Sequence, residues 1–501
     1  MEGPPARPSL LVNINLHTMR QYPITTAFFI MKFSKSPYIL FRDYPEFGYL
    51  TDNRNFGYNT ASKSCKHVGD RIISKVGSVF YSALTDTPKS LPEISDTLSR
   101  IFTDISQSEL ENDAQEFFLD LAKDGFVLCS KSTNEVASST WFSYDNCNPY
   151  ASEIVENSEE TSLFNDKWFA KSRLTRVHLC VSSVCNEKCV HCYYPRNLKG
   201  EFMSSDLFLK ILEQCQRLNV LNITLSGGEP TLNDNLLFFI QEARKRNFSI
   251  NVLSNLTSIT DTLLHEFQKT PLLSVQTSLY SMDENIHDSI TSVKGSHRKT
   301  IEMIETLRKF NIPMQINVPI MKQNKDTFRG VLEWAKSLNI EASSDYLLFG
   351  CFDGSCKNLQ CRLDISEIED LLSNENPSNP ISEPTSQLSA TSSICPVCYS
   401  SLCVSPSGNV YPCEGWQSCI LGNLNDVSIA EIWGESKKVK NLRALTINDF
   451  PKCLNCNDKD FCSICLIRNV NESDNLDCHD INPYFCSIAK IKHQLRSDTE
   501  K

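Results

Sequence analysis

The chain lacks any run approaching the ~18 consecutive apolar residues that a membrane-spanning helix needs, so no bilayer partner is expected. It also lacks an excess of basic charge. Lys and Arg number 49 against 60 Asp and Glu, a net charge of −11. Bulk nucleic acid and anionic membranes both need a basic face, so neither is expected as a partner. The start, MEGPPARPSLLVNINLH, is without the basic and apolar regions of a secretory signal, and a cytoplasmic location is the expectation. One further shortage is local. VCNEKCVHCYYPR (184–196) holds Cys185, Cys189 and Cys192 and no fourth cysteine. A closed zinc site takes four ligands, and disulfides take an even count. Three thiols leave one coordination position open.

Cysteine is what the chain has in quantity: 22 residues, eleven of them between Cys395 and Cys486. In a large chain without a secretion signal this points to metal or catalysis rather than to disulfides. The scattered Cys65, Cys129, Cys147 and Cys215 read as small buried apolar residues.

With 501 residues, the chain exceeds the size of a single core and divides by pattern. In residues 25–132, YILFRD, YLTDN and FGYNTA read as short strands. RIISKVGSVFYSAL, SLPEISDTLSRIF and ELENDAQEFFLDLAKDG read as helices, the last with Leu110, Ala114, Phe117, Phe118 and Leu121 on one face. Gly125 is its expected stop and FVLCS a closing strand. Three helices with short strands suggest an N-terminal α+β winged-helix domain. Residues 133–172 are polar and read as a linker. Across 173–370 six apolar strands (VHLCVSSV, NITLSG, FSINVLSN, LLSVQTSLY, PMQINVPI, SSDYLLF) alternate with helical patterns. That predicts the α/β class and a partial (β/α)6 TIM-like barrel, with function at the carboxyl ends of the strands. Residues 371–394, rich in Ser, Asn and Pro, read as a second linker, and 395–490 form the cysteine-rich region.

Thiolates hold soft metals and iron–sulfur clusters. Three at CxxxCxxC can ligate three irons of a cubane and leave the fourth open to a chelating small molecule. GGEP follows the second strand. Its glycines let the backbone approach a ligand, and its carboxylate can accept from an ammonium. Together the two motifs resemble the radical S-adenosylmethionine (SAM) superfamily. That resemblance implies a catalytic, SAM-binding [4Fe–4S] cluster on Cys185, Cys189 and Cys192. It implies SAM contacts from Gly227, Gly228, Glu229, Pro230 and Ser278, with Ser254, Asn255 and Asn317 as weaker matches. It implies reductive cleavage of SAM to methionine and a 5′-deoxyadenosyl radical that abstracts hydrogen. His191 stands where the superfamily often has an aromatic residue. A zinc site could recruit His191, but would leave GGEP unexplained. Cys180 reads as core, and His287 and His297 as surface residues.

The tail carries CPVC (395–398), Gly408, NVYPC ending at Cys413, CLNC (453–456), Cys462, Cys465, Cys478 and Cys486. This resembles the SPASM domain, although Cys465 follows Cys462 one residue too soon. The resemblance implies two auxiliary [4Fe–4S] clusters. The first would use Cys395, Cys398, Cys413 and Cys465, and the second Cys453, Cys456, Cys462 and Cys486. INPYFC favours Cys486 over Cys478. Zinc is the bland alternative. Cys351, Cys356 and Cys361 read as spare thiols, and Cys403 and Cys419 receive no role.

Enzymes of this kind usually act on a peptide or protein. The front region resembles the leader-recognition element of ribosomal peptide maturases, a winged-helix fold to which a leader adds as a strand. DNA binding is disfavoured, since Asp104–Asp124 holds seven acids and one lysine, and phosphates need bases. The expectation is a maturase that binds a precursor peptide through its leader and forms a thioether or carbon–carbon crosslink. Its electrons would come from a flavodoxin or ferredoxin. The alternatives are another protein-modifying SPASM enzyme such as a sulfatase maturase, a peptide epimerase, or a non-catalytic iron–sulfur or zinc scaffold.

Overall fold

The computed structural model describes residues 31–53, 68–130, 172–195, 200–269, 273–374, 394–395, 397–462 and 464–499. FGYNTA, Cys65, Cys147, nearly all of the expected 133–172 linker and most of 371–394 lie outside the described residues. No helix among the described residues is long and apolar enough to cross a membrane.

The front unit runs β1 (Lys32–Lys35), β2 (Ile39–Asp43), β3 (Phe47–Asp52), β4 (Asp70–Ser74), α1 (Lys75–Ala83), β5 (Lys89–Ser90), α2 (Leu91–Leu98), α3 (Gln107–Lys123) and β6 (Val127–Ser130). It holds two antiparallel three-stranded sheets, in the orders β5-β1-β6 and β2-β3-β4. The α3 face is as expected, with Leu110, Ala114, Phe118 and Leu121 buried. Ser106 and Glu109 cap its start reciprocally, which satisfies two otherwise orphaned backbone donors. RIISKVGSVFYSAL divides. Its first four residues belong to β4, and the helix starts only at Lys75, where Ser74 accepts from the Gly77 N–H. β-branched Ile72 and Ile73 favour the pleated surface, and a capping serine ends it.

The barrel follows as β7 (Arg176–Ser182), α4 (Ser205–Arg217), β8 (Asn222–Gly227), α5 (Leu236–Lys245), β9 (Ser249–Leu253), α6 (Asp261–Lys269), β10 (Leu273–Ser278), α7 (Glu284–Thr291), α8 (Ser296–Lys309), β11 (Met314–Pro319), α9 (Phe328–Ser337) and β12 (Glu341–Asp345). These six strands are parallel and in sequence order. The last lies two residues earlier than SSDYLLF suggests. β12 is half-exposed polar chain at the sheet edge, so its apolar neighbours Tyr346, Leu347 and Leu348 mislead a reading by hydrophobicity. A helix α10 (Ile365–Ser373) claims Leu371 and Leu372, which are buried rather than part of a linker.

The cysteine-rich region is not a separate body. β13 (Ser401–Val404) pairs parallel with β7, and β14 (Asn409–Tyr411) and β15 (Gly422–Asn423) continue outward, making one nine-stranded sheet. Leu402, Val404, Val410 and Leu424 belong to the same core as the barrel strands. The helices α11 (Ile429–Glu435), α12 (Lys437–Arg443), α13 (Pro451–Leu454), α14 (Leu466–Glu472) and α15 (Pro483–Thr499) complete the chain.

Candidate active site

β7 delivers the three-cysteine loop to the rim of the sheet, and β8 delivers GGEP beside it. The two are joined main chain to main chain. Gly228 N–H donates to the Ser182 carbonyl at 2.7 Å and Glu229 N–H to that of Val184 at 2.8 Å. This explains both glycines. Gly227 has φ +129°, and a Cβ there would sit 1.9 Å from the Ser182 oxygen; at Gly228 it would sit 2.4 Å from the Val184 oxygen. Beside their expected approach to a ligand, the glycines thus meet a second demand. They admit the backbone of the cysteine loop.

Glu229 is 1 % exposed. Its Oε1 accepts from Thr231 N–H, the Thr231 hydroxyl and the Ser254 hydroxyl, at 3.0, 2.6 and 2.7 Å. Oε2 accepts from Asn255 N–H at 2.8 Å and keeps the spare acceptor capacity of the group. Burial raises the Glu229 pKa, against these four bonds. Ser254 and Asn255 therefore hold Glu229 in place. Ser278 and Asn317 stand opposite each other on β10 and β11, at the same rim.

Cys185 and Cys192 are exposed and Cys189 is half-buried. The loop is braced from behind, where Lys188 N–H and Val190 N–H donate to the carbonyls of Thr291 and Ile290, both at 2.9 Å. The buried Glu187 accepts from the Cys189 thiol at 3.4 Å. Tyr280 brings its hydroxyl to 3.9 Å from Cys189 Sγ and 3.5 Å from His191 Nε2. Neither Glu187 nor Tyr280 was expected, because nothing in a linear motif marks what packs behind it. His191 is half-buried with its Nδ1 turned out of solvent, and this desolvation pushes its pKa down to about 4. His287 is 1 % exposed and packs on Tyr280, which corrects its reading as a surface residue. The polar stretch around it is the short helix α7, whose inner face it occupies.

In the tail, Cys453, Cys456, Cys462 and Cys486 line one cavity of about 280 Å3, with Cys465, Lys452 and Arg468. Cys478 lies elsewhere, 3.5 Å from His479 Nδ1 and within electrostatic reach of Cys419. Cys395 neighbours Cys465, and Cys413 neighbours Cys395; the Cys413 thiol donates to Glu414 at 2.9 Å. Cys398 is fully buried near Cys395 and Cys419. Cys180, core as expected, meets Cys403 at 3.6 Å between sulfurs and accepts from the Tyr194 hydroxyl at 3.1 Å. Cys351, Cys356 and Cys361 are used separately. Cys351 donates to the Cys192 carbonyl at 3.6 Å, Cys361 to that of Asn358 at 3.0 Å, and Cys356 is exposed.

Burial pushes the grouped tail thiols up, to about 11 for Cys395 and Cys462 and about 12 for Cys398. Such groups lose their protons readily only to a bound cation. Soft, clustered, sulfur-only donor sets fit iron–sulfur clusters.

Residues 179–335 match the radical SAM superfamily model, and residues 395–457 match SPASM, an iron–sulfur cluster-binding domain. A PqqA peptide cyclase of Bradyrhizobium diazoefficiens is 25 % identical over 167 residues, 33 % of this chain and 44 % of that protein. One of Rhodopseudomonas palustris is 23 % identical over 296 residues, 54 % and 76 % respectively. The chain thus spans less than half of the first of these relatives. Among solved structures, Streptococcus suis SuiB bound to its precursor peptide SuiA superposes with a TM-score of 0.56 at 15 % identity. That match covers 90 % of this chain and 99 % of SuiB. The AdoMet-bound anSMEcpe gives 0.53 at 18 %, covering 65 % and 94 %. At such identities the likeness carries the fold, front unit included for SuiB. With both motifs on one rim, residues 179–335 are assigned as a radical SAM domain and residues 395–457 as a SPASM iron–sulfur cluster-binding domain.

Proposed function

We propose that the protein matures a ribosomally made precursor peptide, which it grips by a leader on the front unit. A SAM-binding [4Fe–4S] cluster on Cys185, Cys189 and Cys192 would supply a 5′-deoxyadenosyl radical for hydrogen abstraction. The chain's own residues do the rest. Gly227 and Gly228 seat the cysteine loop, Glu229 offers Oε2 toward a ligand ammonium, and Ser278 borders the ligand. Two auxiliary clusters, on Cys395, Cys398, Cys413 and Cys465 and on Cys453, Cys456, Cys462 and Cys486, would take the electron left when a thioether or carbon–carbon crosslink closes. The observation that carries this reading is the combination of the rim cysteine site with an intact front unit. In that unit the β2 edge is already bonded to Asn247 of the barrel, at 2.8 and 3.0 Å, while β4 and β6 end their sheets. An extended leader can add at such an edge. A flavodoxin or ferredoxin is the proposed electron source, and the cytoplasm the proposed location.

Removal of residues 1–130 should abolish modification of a leader-bearing peptide and leave SAM cleavage in place. Undiminished modification would return the protein to the wider class of protein-modifying SPASM enzymes. Mass spectrometry of the co-expressed peptide reads the bond, since a loss of about two daltons marks a crosslink. Alanine at Cys185, Cys189 and Cys192 together should reduce deoxyadenosine release to background.

A further inference from the structure

Behind the cysteine loop four rings stand in file. His191 meets Tyr280 edge-on at 5.2 Å between centroids, Tyr280 meets His287 at 5.2 Å, and His287 meets His297 at 5.4 Å. The inner end touches the Cys189 thiol through the Tyr280 hydroxyl. The outer end, His297, is half-buried in the first turn of α8. Tyr280 and His287 are buried, and the Nε2 atoms of His287 and His297 have no partner among the described residues. A buried imidazole nitrogen without a partner costs stability.

Around the outer end the surface is basic in an otherwise acidic chain. Lys294, Arg298 and Lys299 are exposed there, and so is Lys188 of the cysteine loop. The loop and the α7–α8 turn are joined by the backbone bonds of Lys188 and Val190. Of the nearby acids, Asp288 is engaged inward, accepting from Gly295 N–H, His297 N–H and the Ser296 hydroxyl, while exposed Glu302, one turn on from Arg298 and Lys299, offsets only part of the four basic charges. Asp288 thereby fills the anion-attracting start of α8, so the patch is not a small-anion site. Asp283 and Glu284 sit at the far end of α7, about 12 Å away at 1.5 Å per residue.

We infer that an acidic, low-potential one-electron donor protein docks on Lys294, Arg298 and Lys299, and that the packed rings of His297, His287 and Tyr280 carry its electron to Cys189. The inference rests on the reading of the three rim cysteines as cluster ligands. One electron leaves the donor and one enters the cluster, with no proton or group transferred. Delivery from the outer face leaves the inner rim to SAM and peptide. Charge complementarity supplies steering and orientation.

The test uses the anaerobically reconstituted full chain and follows loss of the cluster's visible absorbance. The reductant is either reduced flavodoxin or dithionite. K294E/R298E/K299E should slow reduction by flavodoxin at least tenfold and weaken flavodoxin binding. Dithionite reduction should be unchanged in a variant of equal iron content. Raised salt should slow the wild type toward the variant. His287→Ala should slow the flavodoxin step several-fold with binding unchanged, and His287→Phe should restore it. An unaltered flavodoxin rate in the triple variant overturns the docking surface. A His287→Ala rate equal to wild type overturns the ring path. A wild type that dithionite cannot bleach overturns the cluster reading itself.

Discussion

At the scale of single residues, the site is held by groups whose roles are set by what lies within a few ångströms. Gly227 is the sharpest case. Both its φ of +129° and the 1.9 Å approach to Ser182 forbid a side chain. Gly227→Ala should destabilise the fold by about 2–4 kcal/mol, read as a lowered midpoint in denaturant titration. His287 gives a pH signature. Burial pushes its pKa down to about 4, below the ordinary value near 6.5. The folded state therefore binds fewer protons, and its stabilising share is complete above pH 6.5 and disappears as pH falls toward 4. Between pH 7 and pH 5 that share falls by about 2 kcal/mol. His287→Phe should lose less stability than wild type over that interval in parallel urea titrations.

At the scale of elements, the unexpected feature is β13. It was legible as part of a cysteine-rich tail, yet it closes the β7 side of the sheet, with Cys403 set against His178 and Val404 against Leu179. Unpaired strand edges recruit other chains. A protein ended after Ser373 should therefore aggregate rather than survive as a barrel, which light scattering after size-exclusion chromatography would detect. The first five barrel strands were legible because buried parallel strands are rich in apolar residues, whereas the polar edge strand β12 was displaced. α6 and α7 carry shorter helical patterns than their neighbours. α7 carries Glu284, Asn285, His287, Asp288 and Ser289 within eight residues, and a single apolar side is easily lost in so short a helix. β4 was absorbed into α1 because RIIS offers apolar residues to either period.

At the scale of the molecule, the three regions are bound by buried polar contacts that no local pattern announces. Arg42 of β2 is buried against the barrel and donates to the Val220 carbonyl at 2.8 Å, with its guanidinium 5.1 Å over the Phe248 ring. On the other side, the segment after β12 bridges the cysteine loop and the tail. Asn358 donates to the His191 carbonyl at 3.2 Å, and Phe352 N–H to that of Tyr193 at 3.3 Å. The fully buried Asn471 donates to the carbonyls of both Gly350 and Gly415, at 2.9 and 3.0 Å. Arg362 meets both Glu472 oxygens at 2.8 Å and stacks 4.0 Å over Tyr484. Breaking that pair leaves the enclosed Glu472 carboxylate with only the Asn482 amide, 2.7 Å from Oε2, and no countercharge, so Arg362→Ala should cost about 3 kcal/mol. The loss should appear as one shifted transition in thermal unfolding, because barrel and tail share a core; two separated transitions would refute that coupling.

The linear order alone determined the alternation of strands and helices, the rim position of both motifs and the cysteine-rich character of the tail. Each of these is written in residue type and spacing, and needs no partner distant in the chain. Only the tertiary structure decided that the glycines serve the backbone of the cysteine loop, that His287 is buried and that the tail extends the barrel sheet. Those are matters of which segments meet, and burial and close approach belong to pairs of segments rather than to either one.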